Sequence, residues 1–174
     1  MICYYVDNKS TGDIMNKENM KCCIIGPLSD VTDKDENKIK RILRLEIIKA
    51  IDAGYNSFTV RMLSGTGIIA AEIVLEFKAK RRDIFLCCVQ PYPYFGKAQE
   101  WKWNVRFKRA VCKADKVITA SRYNSKNALS LMNKMTIKSS DCLLILKNKS
   151  DVKAFDDISF AKQMGKKIKV INID

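Results

Sequence analysis

The chain has 174 residues, 47% of them hydrophobic and 29% charged, with a formal net charge of +13. That length suits one domain with a core of useful size, and no apolar run approaches the ~18 residues that a membrane-spanning helix needs. There is no histidine, which excludes Ser-His-Asp and Cys-His nucleophile chemistry and any histidine general base.

Residues 1–20 read as an N-terminal extension, apolar from Ile2 to Val6 and polar from Asp7 to Asn19. The stretch has neither the basic leader nor the long apolar segment of a signal peptide, so a cytoplasmic chain is expected. The domain proper is expected over 21–174. Lys21 to Gly26, carrying Cys22-Cys23-Ile24-Ile25 and closed by Gly26-Pro27, reads as a buried strand and turn. Thr32 with Asp35 resembles a capping box. The helix it opens places Ile39, Ile42, Leu43, Ile47, Ala50 and Ile51 on one face and stops at Gly54.

Ser57 to Leu63 is a second strand, rich in β-formers. Ser64-Gly65-Thr66-Gly67 reads as a sharp turn into a helix over Ile68 to Lys80. Asp83 to Val89 is a third strand, and the prolines and glycine of Gln90 to Gln99 make a loop. Glu100 to Ala114 is a helix with Trp103, Phe107, Ala110, Val111 and Ala114 in one stripe. Lys116 to Thr119 is a short strand. Asn124 or Ser125 is expected to cap the next helix, whose stripe is Ala128, Leu131, Met132 and Met135. Asp141 to Leu146 is a fifth strand, Ala154 to Met164 a final helix closed by Gly165, and Lys169 to Ile173 a last strand. Strands alternating with helices, and reading as near-continuous apolar runs, imply an α/β fold. It is expected to be Rossmann-like and doubly wound, with a mainly parallel sheet covered by helices on both faces.

The seven cysteines include no C-x-x-C pair, and with no histidine a zinc site is not expected. The adjacent pairs Cys22-Cys23 and Cys87-Cys88 lie in strands, where neighbours point to opposite faces, and read as buried, reduced core residues. The lysines and arginines are spread along the chain. Their densest groups, Lys38 to Arg44, Lys78 to Arg82 and Lys166 to Lys169, read as a solvated helix face and helix ends. A net charge this high also suits contact with nucleic acid phosphates.

Ligands in such a fold bind beyond the carboxyl ends of the strands. The best anion site is Ser64 to Gly67: two glycines let backbone approach closely, the next helix aims free amides, and Ser64 and Thr66 offer hydroxyls. Glu72, one and a half turns into that helix among apolar neighbours, reads either as a cleft residue or as a partly exposed helix glutamate. Asp115 and Asp141, each before a strand, read as loop-ordering groups. The aromatic run Pro91 to Phe95, with Trp101 and Trp103, reads as loop packing or as a surface on which a base stacks.

Ser64-Gly65 before a helix carrying Ala70-Ala71-Glu72-Ile73-Val74-Leu75-Glu76-Phe77-Lys78 resembles the YpsA-like branch of the SLOG superfamily. Further matches follow in chain order. They are Leu86 to Pro91, Arg106-Phe107-Lys108, Lys113 to Val117, Ser121, Tyr123, Asn133, Ser140 to Leu144, Phe160-Ala161-Lys162 and Gly165-Lys166. The resemblance covers about residues 21–173. It implies a nucleotide or nucleotide-derived ligand, such as a nucleotide sugar, and no cofactor, with Gly26, Gly65, Glu72 and Asn133 as the functional positions that survive; Ser64, Thr66 and Gly67 of the anion turn complete the expected ligand-binding set. Departures from the family pattern are extensive. The T-G-H-R-P turn is Ile25-Gly26-Pro27-Leu28-Ser29, and the G-x-A-x-G-x-D turn is Arg61 to Gly67, with Arg61 at its first glycine and Gly67 at its aspartate. Met132 stands in place of an arginine, and Val152-Lys153-Ala154 replaces a G-G-T loop. Each lost charge-assisted hydrogen bond removes ~1.5–3 kcal/mol of binding. A non-catalytic binding or interaction module with a degenerate site is therefore expected. Two alternatives stay open: a LOG-like nucleoside-phosphate hydrolase using Glu72 as acid/base, and a basic protein that binds single-stranded nucleic acid as DprA-like relatives do. The ligand and any self-association are not specified by these residues.

Overall fold

The computed structural model describes residues 19–27, 31–95, 101–149 and 151–173. In chain order the elements are β1 (Met20–Ile25), α1 (Asp33–Asp52), β2 (Tyr55–Arg61), α2 (Gly65–Lys78), β3 (Phe85–Gln90), α3 (Trp101–Lys113), β4 (Lys116–Thr119), α4 (Ala128–Lys138), β5 (Cys142–Lys147), α5 (Val152–Gln163) and β6 (Lys167–Asn172). The expected extension over 1–20 lies outside the described residues except for its last two positions, of which Met20 already opens β1.

The strands form one parallel sheet in the order β4-β3-β2-β1-β5-β6. From β1 to β4 the chain steps one way across the sheet. It then crosses back over three strands and resumes on the other side of β1. Right-handed crossovers send helices to opposite faces when the direction of travel reverses, so α1, α2 and α3 pack together on one face and α4 and α5 on the other. The expected doubly wound α/β architecture is the one observed.

Strand alternation sorts the adjacent cysteines. Cys22 and Cys88 join the core beneath α1–α3. Cys23 lies in the core under α4 and α5, and Cys87 packs with Val89 and Met132 of α4. Burial pushes the Cys87 thiol up to about 11 and that of Cys88 to about 12, which leaves both protonated and inert. Among the described residues no helix is long and apolar enough to cross a membrane.

The helix limits follow the expected chemistry at α1. Thr32 Oγ1 accepts from the Asp35 amide at 3.3 Å and donates to the Asp35 carboxylate at 2.6 Å. Gly54 takes φ +96° just past the helix end, a conformation that favours glycine. Three expectations need correction. Gly65-Thr66-Gly67 is the first turn of α2 itself, with Ser64 as N-cap, so the glycines serve close packing and not a reversal of the chain. Leu131 is exposed, because the buried stripe of α4 runs through Ala128, Met132, Thr136 and Ile137. Neither Asn124 nor Ser125 caps α4; Asn127 takes that place without a side-chain bond, and the Ser125 carbonyl accepts from the Ala128 amide.

Candidate ligand cleft

The chain reverses direction between β1 and β5. Their carboxyl ends lead to helices on opposite faces, and a crevice opens where the two paths part. It has a volume of about 410 Å³ and lies between α4 and α5. Its floor is Ile25 and Gly26 after β1, Arg61 and Leu63 at the end of β2, and Leu146 of β5. Leu129, Ser130 and Asn133 form one wall; Ala154, Asp157 and Phe160 form the other. Lys126, Lys134 and Lys153 stand at the exposed rim.

Arg61 sits at the position where the family pattern has a glycine, and it organises the cleft. It is the last residue of β2, on the sheet face toward α4 and α5, and only 3% exposed. A buried guanidinium is tolerable only when paired. Its Nε donates to Thr136 Oγ1 at 2.9 Å, one terminal nitrogen to Asp157 at 2.6 Å, and the other to the Asn133 carbonyl at 3.2 Å. These bonds tie both helices to the sheet. They engage three of the five N–H donors of the group, and the residue still lines the cleft. Asp157 was not singled out in the sequence. The signal was there: it sits with Ala154 and Ala161 on the buried stripe of α5, and a carboxylate on such a stripe implies a buried cation.

Four buried side-chain oxygens among the described residues have no hydrogen-bond partner; Asn133 Oδ1 lies in the cleft wall and Thr66 Oγ1 at the start of α2, while Glu46 Oε2 and Asn56 Oδ1 belong to residues that do not line the cleft. Thr66 packs so tightly on Gly26 that a Cβ built there would lie 2.4 Å from the threonine methyl. The amides opening α5, which replace the family's phosphate-type loop, already have an anion: Asp151 Oδ1 accepts from the Ala154 amide at 3.2 Å.

The structure separates the other expected site residues from this cleft. Gly65, Thr66 and Gly67 are buried. A Cβ on Gly65 would lie 2.9 Å from the Trp103 ring, and one on Gly67 would lie 2.1 Å from the Arg61 carbonyl oxygen. The Ser64 hydroxyl donates to the Pro27 carbonyl at 2.7 Å. Glu72 lies on the opposite sheet face, where both its oxygens accept from Arg106, at 2.8 and 2.6 Å. Arg106 also reaches Glu36 at 2.7 Å and stacks 4.5 Å from the Trp103 ring centre. Gly26 and Asn133 are thus the two expected positions that line the cleft. Asp115 and Asp141 order the strands: their carboxylates accept from the Leu86 and Lys21 amides, each at 2.8 Å. Among the described residues no group of three or more metal-ligating side chains comes together.

A second surface lies at the carboxyl ends of β3 and β4. Tyr94, Trp101 and Tyr123 are 72%, 82% and 77% exposed there, while Trp103 turns inward beneath Arg106.

This topology, with its crevice at the reversal of strand order, defines the class as a Rossmann-like, doubly wound α/β domain. The family model YpsA, described as the YspA SLOG family, matches residues 28–174, and the chain belongs to that family. The match begins past β1 and takes in Arg61 and both helices of the cleft. No curated protein matches the chain. The solved structures that share its fold include two DNA processing proteins. DNA processing protein A from Helicobacter pylori, described for its single-stranded DNA binding mode, aligns with 16% identity and a TM-score of 0.59 over 87% of this chain and 65% of its own. DNA processing protein A (DprA) from Streptococcus pneumoniae aligns with 10% identity and a TM-score of 0.60 over 87% and 50%. The chain therefore spans about half to two thirds of the length of these proteins, and at such identities the likeness is one of fold.

Proposed function

We propose that this chain is a non-catalytic binding module that takes a nucleotide or nucleotide-derived ligand, a nucleotide sugar included, in the cleft between α4 and α5. The observation that carries this is the unpartnered, buried Asn133 Oδ1 beside the Arg61 guanidinium. A buried polar atom without a partner costs ~1–3 kcal/mol, and a ligand amine or hydroxyl donating to it recovers that cost. The rim lysines suit the ligand's phosphates, and Leu63, Leu129 and Phe160 suit an apolar ring.

Membership of the SLOG family supports a ligand of this class. Gly26 leaves room at the floor, and Ser64 to Gly67 act behind it, with Thr66 braced on Gly26. The site is degenerate in the sense that Arg61 stands where the family pattern has a glycine and Asp151 already caps the amides that open α5. Hydrolysis is disfavoured because Glu72 is held by Arg106 across the sheet, while Asp157 is paired and Asp151 caps α5. The absence of any membrane-crossing helix among the described residues and the reduced core thiols fit a cytoplasmic role.

Thermal shift with a panel of nucleotides and nucleotide sugars tests the reading. At a ligand concentration 100 times Kd, binding adds ~2.7 kcal/mol of stability. We expect at least one compound to stabilise the wild type and to lose that effect with Asn133→Leu. Stabilisation by none, or equal stabilisation of the variant, contradicts it.

The exposed Tyr94, Trp101 and Tyr123 favour a second reading, a surface for single-stranded nucleic acid in a chain of net charge +13. Each stacked base is worth ~1–3 kcal/mol. Filter binding of an oligonucleotide at two salt concentrations tests it, since phosphate contacts weaken steeply with salt. Binding that ignores salt, or survives replacement of all three aromatics by alanine, rejects it.

A further inference from the structure

At the amino edge of the sheet, away from the cleft, two thiols meet. Cys22 of β1 and Cys142 of β5 are register partners in a parallel pair. Neighbouring strands lie ~4.8 Å apart, inside the ~4.4–6.8 Å that the Cα atoms of a disulfide span. Both side chains are on the α1 face: Cys22 is fully buried, and Cys142 packs against the same core while half-exposed. The Tyr55 side chain, buried in the same core, is the neighbour that acts on this thiol pair. Lys167 of β6 is the register partner of Cys142 on its other side. The adjacent Asp141 is turned away to the Lys21 amide.

We propose that Cys142 is a reactive thiol, modified by hydroperoxides and other soft electrophiles, and that Cys22 resolves its oxidised form as a disulfide between β1 and β5. The chemistry balances. The Cys142 thiolate attacks the terminal, hydrogen-bearing oxygen of the hydroperoxide and the O–O bond breaks. Cys142 becomes a sulfenic acid, and the alkoxide leaves as an alcohol after taking a proton from solvent. The Cys22 sulfur then attacks the Cys142 sulfur, the S–O bond breaks, and the Cys22 proton departs with the hydroxide as water. Two thiols are oxidised by two electrons, and the hydroperoxide is reduced to alcohol and water.

The surroundings support the direction of attack. The neighbouring Cys22 thiol above all, with Tyr55 and Lys167, outweighs burial and lowers the Cys142 thiol to about 6. The neighbouring Cys142 and burial push Cys22 far up, so it holds its proton until the second step. A lower pKa raises the thiolate fraction at pH 7 but weakens each thiolate, by ~0.4–0.5 log unit per pKa unit. Absolute rate is therefore a poor criterion, particularly for a half-buried sulfur. The pH at which the rate levels off is independent of access.

The test is iodoacetamide alkylation of the full-length reduced protein from pH 5 to 9, with each cysteine followed by peptide mass. We expect the Cys142 rate to level off by about pH 7, where an ordinary thiol still gains about tenfold per pH unit toward ~8.5. After hydrogen peroxide treatment, the Cys22 and Cys142 peptides should appear joined and lighter by two hydrogens. Cys22→Ser should leave a sulfenic acid at Cys142 that dimedone traps. A Cys142 rate that climbs like an ordinary thiol, no alkylation of Cys142, or peroxide-induced disulfides only elsewhere overturns the assignment. The wild-type pH profile decides even if the variant fails to fold.

Discussion

Arg61 and Asp157 are both less than a tenth exposed and pair at 2.6 Å. Removing one partner strands a buried charge, so Asp157→Ala should cost ~3–5 kcal/mol in urea denaturation. Replacing both by apolar residues, Arg61→Met with Asp157→Leu, should cost far less than the sum of the single changes. Additive costs would mean that the pair is not the coupling unit. The glycines opening α2 make a second prediction. Gly67→Ala forces a Cβ to 2.1 Å from backbone oxygen, whereas Gly65→Ala meets the Trp103 ring at 2.9 Å, a neighbour able to shift. Gly65→Ala should cost ~1–3 kcal/mol, as overpacking does, and Gly67→Ala more; the reverse order would show that the ring is the more rigid neighbour. The two glycines were visible in the sequence, but their purpose was not. A glycine needed for a turn and one needed for close packing look alike until the neighbour, here the carbonyl of Arg61, is known.

The helices on the α1 face are joined by a clamp of charges: Glu36 of α1, Glu72 of α2, and Lys102 and Arg106 of α3. Burial resists ionisation of Glu36, but Lys102 and Arg106 outweigh it and hold its carboxyl below the ordinary value of 4.5. A depressed native pKa stabilises fully above the unfolded value and is lost as pH falls through the native one. The melting temperature should therefore fall below about pH 4.5, and Glu36→Gln should flatten that limb. An unchanged acid limb would show that Glu36 carries no linkage. Apolar periodicity located every helix here, and the stripes of α1 and α3 were largely legible. On α4 and α5 it missed Thr136 and Asp157, because polar residues score as solvent-facing. Their partner Arg61 lies 75 and 96 positions away, beyond the reach of any local pattern.

At the scale of the whole molecule, alternating strands and helices made the doubly wound class legible, and the ordered family matches agreed with it. The strand order was not legible, because the long crossover from β4 to β5 has no local signature. That crossover decides where the crevice opens, which is why the sequence pointed to Gly65 to Gly67 and gave no sign of a crevice between α4 and α5. It also separates Gly26 and Asn133 from Glu72, which the sequence had grouped as one site. The most direct measurement is a backbone amide NMR titration with the nucleotide or nucleotide sugar that gives the largest thermal shift. Binding in the cleft should move the resonances of Gly26, Ser130, Asn133 and Ala154 and leave those around Glu72 and Arg106 unmoved. Shifts confined to the α1–α3 face or to the Tyr94 and Tyr123 rim, or none at saturating ligand, would contradict it.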